Sequence, residues 1–153
     1  MGCVTREYCE RPVAAVGVVV VRDDGRVLLA RRANPPLDSL WSVPGGVLEL
    51  GETIAECARR EVREECGIEC TTTEIYHAFD SIHRDPAGRV RYHYLIVDVL
   101  AQWASGDVCP GTDALEARWF SLDEAADLAM TPGAERVVRA LLLRAPAAGT
   151  GVS

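Results

Sequence analysis

The chain has 153 residues, 48% of them hydrophobic and 25% charged, which is one domain's worth of protein with enough apolar content for a core. Its net charge of −7, from 23 acidic against 16 basic residues with no long Lys or Arg run, argues against binding to nucleic-acid backbone or to anionic membrane. No stretch reaches the ~20 apolar residues of a membrane span, and the N-terminus lacks a positive flank followed by an apolar run, so a soluble, cytoplasmic protein is expected.

Residues 12–21 (PVAAVGVVVV) are too few to span a membrane and too β-branched to prefer a helix; their near-continuous hydrophobicity predicts a central strand covered on both faces. Asp24-Gly25 is a hairpin turn signal, and a second strand begins at residues 27–30. Residues 31–40 contain Asn34-Pro35-Pro36 and read as a loop. Trp41, Ser42 and Val43 then lead into Pro44-Gly45-Gly46, where two glycines let backbone approach a ligand or metal closely. A helix is predicted from an N-cap at Thr53, with Glu56 completing a capping box, to a stop at Gly67. Ala55, Ala58, Val62 and Cys66 form its apolar stripe, with carboxylates along one flank. Residues 71–84 and 90–103 are β-rich, are joined by the turn Asp85-Pro86-Ala87-Gly88, and read as an antiparallel pair.

A loop is predicted over 104–114, a short strand over 117–120, and a helix over 121–129 whose Ser121 and Glu124 form a capping box. The last helix opens at Pro132 and carries the stripe Val137, Val138, Leu141, Leu142. The tail from Pro146 has nothing to pack and is expected to be mobile, which leaves 1–145 as a single domain without repeat or linker. This order of strands and helices implies an α/β protein with a mixed sheet and helices on both faces. The six cysteines contain no C-x2-C pair, and Cys57 and Cys66 fall on the predicted helix, so reduced thiols acting as small hydrophobes are expected. Cys57, one turn before Glu61, is the one expected near the carboxylates.

The chemistry concentrates in residues 46–68 (GVLELGETIAECARREVREECGI). On a helix Glu61, Glu64 and Glu65 stand at i, i+3 and i+4 and share a face, where like charges repel by a few tenths of a kcal/mol per pair. A hard divalent cation would offset that repulsion, because Mg²⁺ takes oxygen ligands and is held by a few carboxylates plus substrate phosphates. Arg60 falls beside Glu64 and can pair with it or with Glu52.

The same segment resembles the Nudix box, G-x5-E-x7-R-E-U-x-E-E-x-G-U with U aliphatic, matching at Gly46, Glu52, Arg60, Glu61, Val62, Glu64, Glu65, Gly67 and Ile68 without departure. Chance agreement at all nine is below roughly one in a million. The resemblance implies a Nudix-type α/β/α sandwich and a hydrolase that cuts the P–O–P bridge of a nucleoside diphosphate linked to another group, using Mg²⁺ or Mn²⁺. It implies Glu61, Glu64 and Glu65 as metal ligands, the Gly45 carbonyl as a further ligand, Glu52 as a hydrogen-bonding partner of the cluster or of metal-bound water, and Arg60 as the residue that orients the carboxylates. Family members take the general base either from box glutamates, Glu64 among them here, or from a glutamate on a later loop; here Glu116 is the preferred distal residue and Asp113 the second.

Substrate contacts are less marked. Trp41, Tyr76, Tyr92 and Tyr94 have faces on which a base could stack, and Arg31, Arg32 and Arg91 could bind phosphates; Arg31, Arg32, Trp41 and Tyr94 are the expected set. His77, His83 and His93 read singly as hydrogen-bonded structural residues. The zinc module and Pro-rich signature of the NADH-diphosphatase type are missing, and so is the upstream motif of the coenzyme A type. Pro86 lies 19 residues beyond Gly67, where ADP-ribose pyrophosphatases often place a proline some sixteen beyond. The expected substrate is a small nucleotide, ADP-ribose or a related nucleotide-sugar; the alternatives are an oxidised nucleoside triphosphate and, in another class, a non-catalytic nucleotide sensor. The resemblance also implies a homodimer.

Overall fold

The computed structural model describes residues 6–144; the tail expected to be mobile, and Cys3, lie outside the described residues. The apolar run folds as β1 (Val13–Val21), with Val16, Val18, Val19 and Val20 at most 2% exposed, so it is covered on both faces as its composition dictates. β2 (Val27–Arg32) follows the Asp24-Gly25 turn, in which Gly25 takes φ 83°. Two short strands, β3 (Trp41–Ser42) and β4 (Gly45–Val47), lead to α1 (Ile54–Cys66). The long pair β5 (Glu69–Arg84) and β6 (Val90–Ser105) comes next, then β7 (Ala114–Phe120), α2 (Leu122–Ala126) and α3 (Pro132–Arg144).

The strands make one mixed sheet in the order β3-β2-β1-β6-β5, with β4 also paired to β1 and β7 to β2. β1 and β6 run parallel, from Val13 opposite Tyr94 to Val21 opposite Gln102; the remaining pairs are antiparallel. One core lies under α1, where Cys57, Ala58, Val62 and Cys66 meet Val18, Leu28, Ile68 and Val99. A second lies under α3, where Val137 and Val138 meet Val19, Leu29, Trp41 and Phe120. Helices therefore cover both faces of the sheet, the expected α/β sandwich.

The helix expected over 121–129 stops at Ala126, β5 starts at Glu69 and β6 runs on to Ser105, and two further differences in boundary are explained by pairing. β7 starts at Ala114 rather than 117, and β2 runs on to Arg32 rather than entering a loop at 31, because each supplies the other's hydrogen bonds through Arg31 opposite Glu116 and Arg32 opposite Ala114. No helix among the described residues is long and apolar enough to cross a membrane.

Candidate active site

α1 sets the carboxylates in place. Its N-terminus is fixed by a full capping box, in which the Thr53 side chain accepts from the Glu56 N–H and the Glu56 carboxylate accepts from the Thr53 N–H. Its C-terminus stops at Gly67, whose φ of 73° permits the left-handed turn and whose N–H is donated to the Arg63 carbonyl. The next orphan carbonyls are taken by the following loop: Cys109 N–H reaches Cys66 O and Gly111 N–H reaches Glu65 O, both at 2.8 Å. A Cβ on Gly111 would overlap the Glu64 carbonyl oxygen, so glycine is what lets the loop lie this close.

Arg60 is the hub of the box. It donates to Glu52 through Nε (2.6 Å) and Nη2 (2.9 Å), to Glu61 (2.8 Å) and Glu64 (3.2 Å) through Nη1, and to the Val47 carbonyl (3.1 Å). The planar fork thus ties the β4–α1 loop to the helix. Its guanidinium holds the Glu52 carboxyl down at about 2, well below the ordinary value. Cys57, expected near the carboxylates, sits buried beneath Arg60 with Sγ facing the Gly46 and Val47 carbonyls, and burial pushes its thiol up to about 12. It is therefore a packing thiol rather than a reactive one.

Glu65 stands apart from that network. It accepts one hydrogen bond, from the Gly45 N–H at 3.0 Å, and burial, reinforced by the charges of Glu61 and Asp113, raises it to about 7. Burial likewise raises Glu61. A Cβ on Gly46 would collide with the Glu61 carboxylate, so the glycine holds open the space that Glu61 fills. A crowded, under-neutralised set of carboxylate oxygens fits a hard divalent cation. Among the described residues no three His, Cys, Asp or Glu side chains already stand at ligating separation, and Arg60 takes up oxygens of Glu61 and Glu64. A cation bound to these oxygens would neutralise a pyrophosphate and lower the pKa of a bound water.

Two cavities meet at this point. One, of about 340 Å³, runs between β1, β6 and β5 to the start of α3 and is bounded by Gly17, Phe79, Tyr94, Ile96, Asp98 and Gly133 among others. The other, of about 1060 Å³, is lined by Arg60, Glu61, Glu64, Glu65, Asn34, Tyr92 and Asp113. Arg6, Arg32, Gly45, Gly46, Glu65 and Tyr94 border both.

Of the residues expected to contact substrate, Arg32 and Tyr94 lie at this junction. Arg31 and Trp41 do not. Trp41 is buried in the second core, edge-on to Phe120 with ring centroids 5.0 Å apart, so it packs and has no open stacking face. Arg31 pairs with Glu116 at 2.8 Å on the β2–β7 ladder, and neither lines either of these two cavities, whereas Asp113 lines the second. The sequence reading passed over Arg6, Phe79 and Asp98. Only Asp98 carried a usable signal, as the lone charge in the apolar strand YLIVDVLA.

The model of the NUDIX domain family matches residues 11–141. The chain belongs to the Nudix hydrolase family. An ADP-ribose pyrophosphatase of Methanocaldococcus jannaschii is 35% identical over 124 residues, 81% of this Nudix chain and 70% of that relative. The NAD-capped RNA hydrolase NudC of Pseudomonas aeruginosa is 36% identical over 107 residues, but this chain spans only 35% of its length. A solved MutT Nudix hydrolase from Burkholderia pseudomallei superposes with a TM-score of 0.71 at 28% identity, over 85% of this chain and 98% of that one. The protein is thus an enzyme of the Nudix hydrolase class, which hydrolyses pyrophosphate linkages of nucleotides and generally needs divalent metal ions.

Proposed function

We propose that this Nudix hydrolase cleaves the pyrophosphate of ADP-ribose or a related nucleotide-sugar with Mg²⁺ or Mn²⁺. The observation that carries this reading is the meeting of two cavities at Gly45, Gly46 and Glu65. A substrate with a group on each side of its pyrophosphate fills both, whereas a nucleoside triphosphate has only phosphate beyond the bond that is cut. The relative named an ADP-ribose pyrophosphatase supports the same substrate class.

In this reading Glu61, Glu64 and Glu65 hold the metal, with Gly45 aligning Glu65. Arg60 and Glu52 hold the glutamates in register. Arg6 and Arg32, at the junction, take phosphate oxygens, and Tyr94 lines the path of the nucleoside. Asp113 is the distal carboxylate within reach of the second cavity.

The test is turnover, followed as phosphate released by a coupled phosphatase, across ADP-ribose, other nucleotide-sugars, dinucleoside polyphosphates, and canonical and oxidised triphosphates with either metal. Nucleotide-sugars are expected to reach kcat/KM of ~10⁴ M⁻¹s⁻¹ or more. Preferential cleavage of triphosphates would replace the substrate class with the housecleaning one. Binding without cleavage under both metals would leave nucleotide sensing.

A further inference from the structure

We propose that Asp98, positioned by His77, is the residue that selects the nucleobase, accepting a hydrogen bond from an exocyclic amine in the cavity between β5, β6 and α3. The inference rests on the nucleotide reading above and adds to it the chemistry of the base.

β6 carries Asp98 in the middle of an apolar run, and the side chain is only 2% exposed. An isolated buried carboxylate costs several kcal/mol, so it persists in a strand only where partners or a ligand compensate it. The available partner is incomplete. His77 Nε2, directly across the β5–β6 pair, lies 2.8 Å from Asp98 Oδ2, an ion-pair distance, and both atoms are buried. The imidazole thus occupies one carboxylate oxygen and leaves Oδ1, on the Gly17 side, to take a further partner.

The surroundings keep a place for that carboxylate. On β1 a Cβ at position 17 would overlap Asp98 Oδ1 and press on Val43 at 3.2 Å, so glycine there is required by the aspartate. Asp98 and Gly17 both border the 340 Å³ cavity, which reaches from them to Gly45 and Glu65. Phe79 and Ile96, opposite one another on the same face of β5 and β6 as His77 and Asp98, give it apolar walls, and the Arg136 guanidinium lies 4.8 Å over the Phe79 ring. A flat ring enters such a slot edge first, with its attached phosphates left towards the box.

The pairing then decides which edge. The proton of the pair lies between His77 Nε2 and Asp98 Oδ2, so Oδ1 presents lone pairs only and is the acceptor here. An amino group meets it with a hydrogen; a carbonyl in the same place meets lone pairs with lone pairs. A site built to bond a polar group discriminates strongly against the analogue lacking it.

The experiment compares ADP-ribose with inosine diphosphate ribose, which differ in the exocyclic amine and its carbonyl replacement, in the wild type, Asp98→Asn and His77→Gln. The wild type is expected to favour the adenine compound by at least ~10-fold in kcat/KM, carried mainly by KM. Asp98→Asn, whose amide both donates and accepts, should bring the ratio within about threefold, with His77→Gln between the two. Equal use of both compounds by the wild type, or an unchanged ratio in Asp98→Asn, would overturn the proposal. If neither compound is cleaved, the nucleotide-sugar reading fails, and AMP against IMP binding by calorimetry decides the base: at least ~10-fold tighter AMP, lost in Asp98→Asn, upholds the proposal, and equal affinities overturn it. Should Asp98→Asn fail to fold, the wild-type pair and His77→Gln carry the test.

Discussion

Asp113 and Glu116 differ by three positions in sequence and by everything in environment. Glu116 is spent on Arg31 at 2.8 Å, outside both cavities. Asp113 is held by Ala33 N–H on its carbonyl and by the Asn34 amide on Oδ1, each at 3.3 Å, and lines the same cavity as Glu61, Glu64 and Glu65. If a carboxylate outside the box takes part in proton transfer, position selects Asp113. Asp113→Asn is expected to lower kcat by ~10-fold or more, and Glu116→Gln to stay within about twofold, in steady-state assays at saturating substrate. The opposite ranking would return the role to Glu116. Sequence could not make this choice, because it depends on the β2–β7 register, which joins residues 85 positions apart through Arg31 and Glu116. Trp41 is hidden for the same kind of reason: an aromatic ring offers a face on which a base could stack, and only the packing of Phe120 and α3 shows it to be core.

Local signals did better where local interactions decide. The bounds of α1 follow from Thr53, Glu56 and Gly67, whose caps form within a few residues, and the box follows from a helical period. What remained hidden is how the loop after β6 straps the helix end. There Gly111 is the contact, its N–H on Glu65 O and its missing Cβ making room for the Glu64 carbonyl. Gly111→Ala should push the loop off α1, costing ~1–3 kcal/mol and lowering turnover as Asp113 and the last turn of the helix shift. Gly25→Ala is the matched control. Its φ of 83° makes the substitution cost ~1–2 kcal/mol, but nothing lies within 4 Å of the added carbon, so catalysis should be unchanged. Thermal melts paired with kinetics separate the two; equal loss of activity in both variants would mean that the strap does not position the site.

Over the whole molecule the site is a concentration of negative charge in a chain already at −7, and its main stability consequence runs through Glu65. The folded protein raises that carboxyl to about 7 from an ordinary value of 4.5, so the protonated form is the one folding favours. The stabilisation is complete below pH 4.5 and is lost as pH rises through 7. Glu52 has the opposite sign: held at about 2 by Arg60, it contributes above the ordinary carboxylate value and is lost only as pH falls towards 2, outside this window. Metal-free protein should therefore lose stability between about pH 5 and 7. If the ionised carboxylates hold the metal as proposed, added Mg²⁺ or Mn²⁺ should restore the loss, increasingly with its concentration. Glu65→Gln keeps the shape, removes the titrating group, and should flatten the melting temperature across that range, weaken the rise on adding metal, and cut turnover by two or more orders of magnitude. A variant that keeps the wild-type pH slope and metal response would place both the buried charge and the cation elsewhere.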